Sequence, residues 1–77
     1  MVEVFVLITC DYGEEERIIN ELSKIKEIKT LSKIEGPYNI LIKIDGENID
    51  NIKEIVTGEI KTIDKIRHTL TLKTKTV

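Results

Sequence analysis

The sequence predicts an α+β sandwich of the ferredoxin-like βαββαβ kind, a four-stranded antiparallel sheet with two helices on one face. Three observations predict it. Apolar residues alternate at period two near the start, the middle and the end of the chain. They recur at helical spacing in the two stretches between. Turn residues mark each change of period. With 77 residues there is room for one small domain, so 1–77 reads as a single unit.

Residues 2–10 place Val2, Val4, Val6 and Ile8 on one face and Phe5, Leu7 and Thr9 on the other. Both faces are largely apolar, which marks a central strand buried on both sides. Asp11-Tyr12-Gly13 stops it. Glu14, Glu15 and Glu16 supply the negative charge a helix N-terminus favours. Ile18, Leu22 and Ile25 follow at helical spacing, with Lys24 and Lys26 in the last turn, so 14–25 reads as a helix. Residues 28–35 read as a strand in which Ile28, Leu31 and Ile34 stand three apart, a spacing that a bulge reconciles with period two. Gly36-Pro37-Tyr38-Asn39 is a turn signal. In 39–45, Ile40, Ile42 and Ile44 alternate with Leu41 and Lys43 as a third strand. Asn48 is placed to cap a second helix whose face, Ile49, Ile52, Val56 and Ile60, runs to about residue 61 and is weakened by Gly58. From Ile66 to Thr76 alternation returns, with Leu70 and Leu72 on one side and Thr69, Thr71 and Lys73 on the other. Right-handed crossovers put the first and third strands in the centre.

Composition excludes several functions. Net charge is −2, against a general nucleic-acid binder. No apolar run approaches the length of a membrane span. One cysteine and one histidine form neither an intrachain disulfide nor a usual zinc site, and a lone thiol fits a reducing cytoplasm. A domain of this size is marginal alone, which leaves oligomerisation as its support. Strand three has no aromatic residue on which to stack bases, as an RNA-recognition domain of this topology does. No phosphate-loop, HExxH or GxSxG pattern occurs. His68 reads as a satisfied structural histidine, Cys10 as a buried small residue, and Glu14–Glu16 as a charged first helical turn. No catalytic residue, metal or cofactor is assigned.

Two features point to binding. The helices cover one side of the sheet, so Phe5, Leu7 and Leu41 on adjacent central strands need a cover of their own. The threonine-rich last strand offers an edge for pairing, unless Lys73 and Lys75 guard it. The turn at Gly36–Asn39 pairs a conformationally free glycine with a tyrosine. By itself it reads as an ordinary hairpin turn, although exposed backbone groups there suit the carboxylate and ammonium of an amino acid.

Essentially the whole chain resembles the effector-binding (RAM) domain of the Lrp/AsnC regulators. The resemblance rests on a first strand ending near Gly13, the Glu-rich helix with Ile18, Leu22 and Ile25, and Gly-x-Tyr-Asn at 36–39. The apolar strand Ile40–Ile44, a second helix and a last strand with Arg67, Thr69 and Thr71 complete it. Asn39 stands where the family usually has aspartate, and the chain is expected to be a stand-alone form of the domain without the family's DNA-binding helix-turn-helix. The resemblance implies a non-enzymatic, cytoplasmic effector domain that touches neither DNA nor membrane and needs no cofactor. It further implies dimers paired through their sheets and assembled into octamers or decamers. An amino acid or related metabolite then binds near Gly36, Tyr38 and Asn39, with Thr69 and Thr71 as weaker contributors. Full-length Lrp/AsnC regulators are the implied partners. The alternatives are an ACT-like regulatory module, whose loop Asp11-Tyr12-Gly13 partly echoes, and a small dimeric α/β-barrel enzyme relying on His68.

Overall fold

In the computed structural model, which describes residues 2–73, the first strand β1 (Val2–Cys10) leads into α1 (Glu15–Leu22). Strands β2 (Ile28–Lys33) and β3 (Ile40–Gly46) form a hairpin. Helix α2 (Ile49–Ile55) runs on into a π-helical turn, Val56–Ile60, before β4 (Ile66–Lys73). The strand order is β2-β3-β1-β4, with every neighbouring pair antiparallel. This is the expected ferredoxin-like arrangement, with β1 and β3 central. The expected extension of the last strand to Thr76 lies outside the described residues.

The core sits between sheet and helices. Register places Val4 opposite Ile44, Val6 opposite Ile42 and Ile8 opposite Ile40, all fully buried. β-Branched side chains fit such directly opposed positions well. Ile18 and Leu22 from α1, and Ile52, Ile55, Val56 and Ile60 from the second helical segment, close the layer. Burying each such side chain contributes about 1.5–3 kcal/mol. The far side of β1 is not buried as expected: Phe5, Leu7 and Thr9 are only partly covered.

Local chemistry explains where elements begin and end. The Asn48 side chain accepts the Asn51 N–H at 2.8 Å from an extended backbone (φ −154°), the expected N-cap. The expected bulge in β2 falls between Ile28 and Thr30, so that Ile28 and Leu31, three apart, both pack against the core. Gly46 lies so close to α2 that a Cβ there would stand 2.6 Å from the Ile52 Cγ1 atom.

Two boundaries differ from the sequence reading. Helix α1 stops at Leu22, not Ile25, so Lys24 and Lys26 lie beyond it rather than in its last turn. The Ser23 hydroxyl donates to the Asn20 carbonyl at 2.6 Å, and the next two N–H groups bond three residues back. A serine that competes for helical carbonyls, followed by such tighter bonds, ends a helix. The second helix is not α-helical to residue 61. The Lys61 N–H donates to the Val56 carbonyl five residues back, at 2.8 Å. Ile52, Val56 and Ile60 are spaced by four, and a strict 3.6-residue turn rotates such a row off the core. One wider turn keeps Ile60 fully buried.

Candidate functional site

The helix-free face carries two apolar rows. Leu7 lies between Leu41 on β3 and Leu70 on β4, and Phe5 lies between Lys43 and Leu72. Leu70 and Leu72 are 39% and 44% exposed, whereas Phe5, Leu7 and Leu41 are half-buried. Phe5, Leu7 and Leu41 were expected here; Leu70 and Leu72 enlarge the patch to five apolar side chains. The alternation in β4 grouped those leucines but could not say which face they share, since that depends on the register with β1. Lys43, the one charge inside the rows, is paired with Glu3 at 3.2 Å.

At one end of this face stands the turn between β2 and β3. Gly36 has φ +124°, a conformation open to glycine and strained for other residues. The Ile34 N–H donates to the Asn39 carbonyl, and the Asn39 N–H donates to the Ile8 carbonyl at 2.9 Å. The Asn39 side-chain oxygen accepts the Cys10 N–H, also at 2.9 Å. Asn39 thus stitches the turn to the end of β1. The Thr9 hydroxyl adds a bond to the Pro37 carbonyl at 3.3 Å. Tyr38 stacks on His68 of β4, with ring centroids 6.5 Å apart and an interplanar angle of 29°. His68 is therefore not the satisfied structural histidine expected from its spacing. It is exposed, because it faces outward opposite Thr9 on a side that no helix covers.

The structure does not bring all the expected ligand residues together. Gly36, Tyr38 and Asn39 are contiguous, and His68 joins them. Thr69 and Thr71 pair with Ile8 and Val6, whose side chains are buried on the helix side. Side chains alternate along a strand, so both threonines face away from the Tyr38–His68 stack.

The loop after β1 is held by ion pairs. A bulge in β4 opposite Thr9 and Cys10 leaves Arg67 as the extra residue, and bulges of this kind re-aim a side chain. The Arg67 guanidinium grips the Asp11 carboxylate with two bonds, of 2.5 and 2.7 Å. That hydrogen bonding, with the positive charges of Arg67 and Lys65, holds the Asp11 carboxyl below its ordinary range. Arg17 reaches across to the Asp64 carbonyl at 2.7 Å. Cys10 is the buried small residue expected, and burial, together with the carboxylates of Glu15, Asp11 and Glu14, pushes its thiol up.

Residues 3–73 match the model of the Lrp/AsnC ligand binding domain. No significant match is found among curated proteins. Solved structures share the fold closely. FFRP-DM1 superposes with a TM-score of 0.92 at 23% identity, over 97% of this chain and all of that one. AsnC of E. coli superposes with a TM-score of 0.93 at 26% identity, over 99% of this chain, which spans 52% of the length of AsnC. Transcriptional regulator NMB0573 of Neisseria meningitidis, solved as an L-Met complex, gives a TM-score of 0.86 at 9% identity, over 97% of this chain and 50% of that one. With nearly its whole length matched by the family model and its strand order, register and Gly-x-Tyr-Asn turn in place, the chain belongs to the Lrp/AsnC ligand-binding domain family.

Proposed function

We propose that the domain is a non-enzymatic, cytoplasmic effector module that binds an amino acid or a related small metabolite at the 36–39 turn. It does so as an oligomer whose copies pair through their helix-free sheet faces. The observation that carries this reading is the Tyr38–His68 stack on the rim of a bare five-residue apolar face. A turn placed there lies at the margin of any interface formed on that face, so occupancy of the site and assembly influence each other. Tyr38 supplies an aromatic surface with a hydroxyl, beside a turn whose Gly36 takes a positive φ that glycine adopts without strain. The L-Met in the NMB0573 complex supports an amino acid as the ligand class. Co-assembly with full-length Lrp/AsnC regulators, in octamers or decamers, is how such a module acts on transcription.

Asn39 sets the affinity. Its neutral side-chain oxygen already accepts the Cys10 N–H, and its NH2 group only donates, so it offers a ligand ammonium no charge to meet. Thr69 and Thr71, on the opposite face, contribute only if assembly brings them to a neighbouring copy's turn.

Calorimetric titration with the twenty amino acids is the test. Saturable binding of one or a few is expected, lost in Tyr38→Ala and tightened in Asn39→Asp, which keeps the acceptor for Cys10 and adds a charge. Silence from all twenty at millimolar concentration contradicts the sensing role.

Two other readings fare less well. A dimeric α/β-barrel enzyme needs reactive groups between sheet and helices, yet no polar or charged residue is buried there among the described residues. An ACT-like site needs the loop at Asp11, whose carboxylate is committed to Arg67.

A further inference from the structure

On the helix side of β4, Ile66 packs against the core and Thr69 is half-buried, whereas Thr71 and Lys73 toward the end of the strand are exposed. Between that strand and the α2–π segment lies an open cleft of about 340 Å³. Its size falls at the lower end of the range for small-molecule sites. Val4, Ile52 and Val56 form an apolar floor. Lys53, Lys61 and Lys73 stand around it, and no carboxylate lines it among the described residues. None of these three lysines makes an ion pair among the described residues, although the chain as a whole is acidic. The π turn contributes to this geometry. By adding a residue to one turn it shifts the position of Lys61, at its C-cap, relative to Lys53 on α2.

We propose that this cleft is a second ligand site, distinct from the 36–39 turn, that takes a small molecule with an apolar chain and a single carboxylate. The floor removes the chain from water, and the rim lysines, which have no ion-pair partner among the described residues, meet the negative head. A zwitterionic amino acid is the wrong ligand, because its ammonium finds three like charges and no acceptor carboxylate. Thr71, on the helix side of β4, lines this cleft.

The test is titration of the full chain with decanoate below its micelle concentration, followed by amide chemical shifts. Decanol and decyltrimethylammonium serve as neutral and cationic counterparts with ten-carbon chains. Decanoate is expected to saturate at one molecule per chain, with shifts centred on Ile52, Val56 and Thr71. Lys53→Glu/Lys61→Glu is expected to weaken it at least tenfold, and Thr71→Trp, an exposed edge position, to block it while the amide spectrum stays folded. Decanol or the cation binding as tightly as decanoate overturns the proposal. So does an absence of saturable decanoate binding, or shifts that map to Phe5, Leu7 and Leu41 instead.

Discussion

At the scale of single residues, much of the packing is decided by one missing methyl group. A Cβ on Gly46 would meet Ile52 Cγ1 at 2.6 Å and Asn51 Oδ1 at 2.8 Å. Ile52 is buried in the core and Asn51 is tied to the N-cap, so neither yields freely. Gly46→Ala is expected to destabilise the fold by about 1–3 kcal/mol, read from the urea midpoint. Asp11 makes a prediction about pH. Its carboxyl is held down in the folded state by Arg67 and then Lys65, against an unfolded value of about 3.9. The pair therefore contributes fully above that value, and the contribution is lost as pH falls through the lower folded value. Asp11→Asn is expected to melt below the parent protein at neutral pH, and the gap is expected to close as pH falls below about 4. A gap that stays constant into strong acid would show that Asp11 acts by packing alone. The candidate turn was legible from sequence because Gly36, Tyr38 and Asn39 are contiguous. The facing of Thr69 and Thr71, the exposure of His68 and the Arg67–Asp11 grip were not, since all depend on the bulge and register that join β4 to β1.

Elements were legible where local chemistry alone sets them. The cap at Asn48, the bulge at Ile28–Thr30 and the alternation of Ile40, Ile42 and Ile44 belong to short stretches of sequence. The π turn is different, because it is forced by Ile60 having to reach the same core as Ile52, a requirement visible only once both are packed. Within that turn Gly58 meets nothing: a Cβ there would have no atom within 4 Å, and its φ is not positive. Gly58→Ala is therefore expected to stabilise the protein by about 0.4–1 kcal/mol by restricting the unfolded chain, measured by thermal or chemical denaturation. Loss of stability would mean that the wide turn needs the freedom of glycine. The early end of α1 has the same origin as the cap, since Ser23 bonds backward where Asn48 bonds forward.

At the scale of the molecule, one face of the sheet holds the core and the other is bare. Among the described residues the helix side buries thirteen hydrophobic residues, whereas Phe5, Leu7, Leu41, Leu70 and Leu72 face water together. For a domain this small, covering such a patch is worth a large share of its total stability. Leu7→Glu, placed between Leu41 and Leu70, is expected to split the assembly into folded but less stable single chains, because it puts a carboxylate at the centre of the contact without touching the core. Ligand binding at the 36–39 turn is then expected to weaken with it, as a site on the rim of an interface requires. The most direct test is the absolute mass in solution at micromolar concentration, by sedimentation equilibrium. Particles of at least twice 8.8 kDa are predicted for the parent chain, collapsing to the single-chain mass in Leu7→Glu. A stable, well-folded parent at 8.8 kDa would contradict the pairing of sheet faces on which the functional proposal stands.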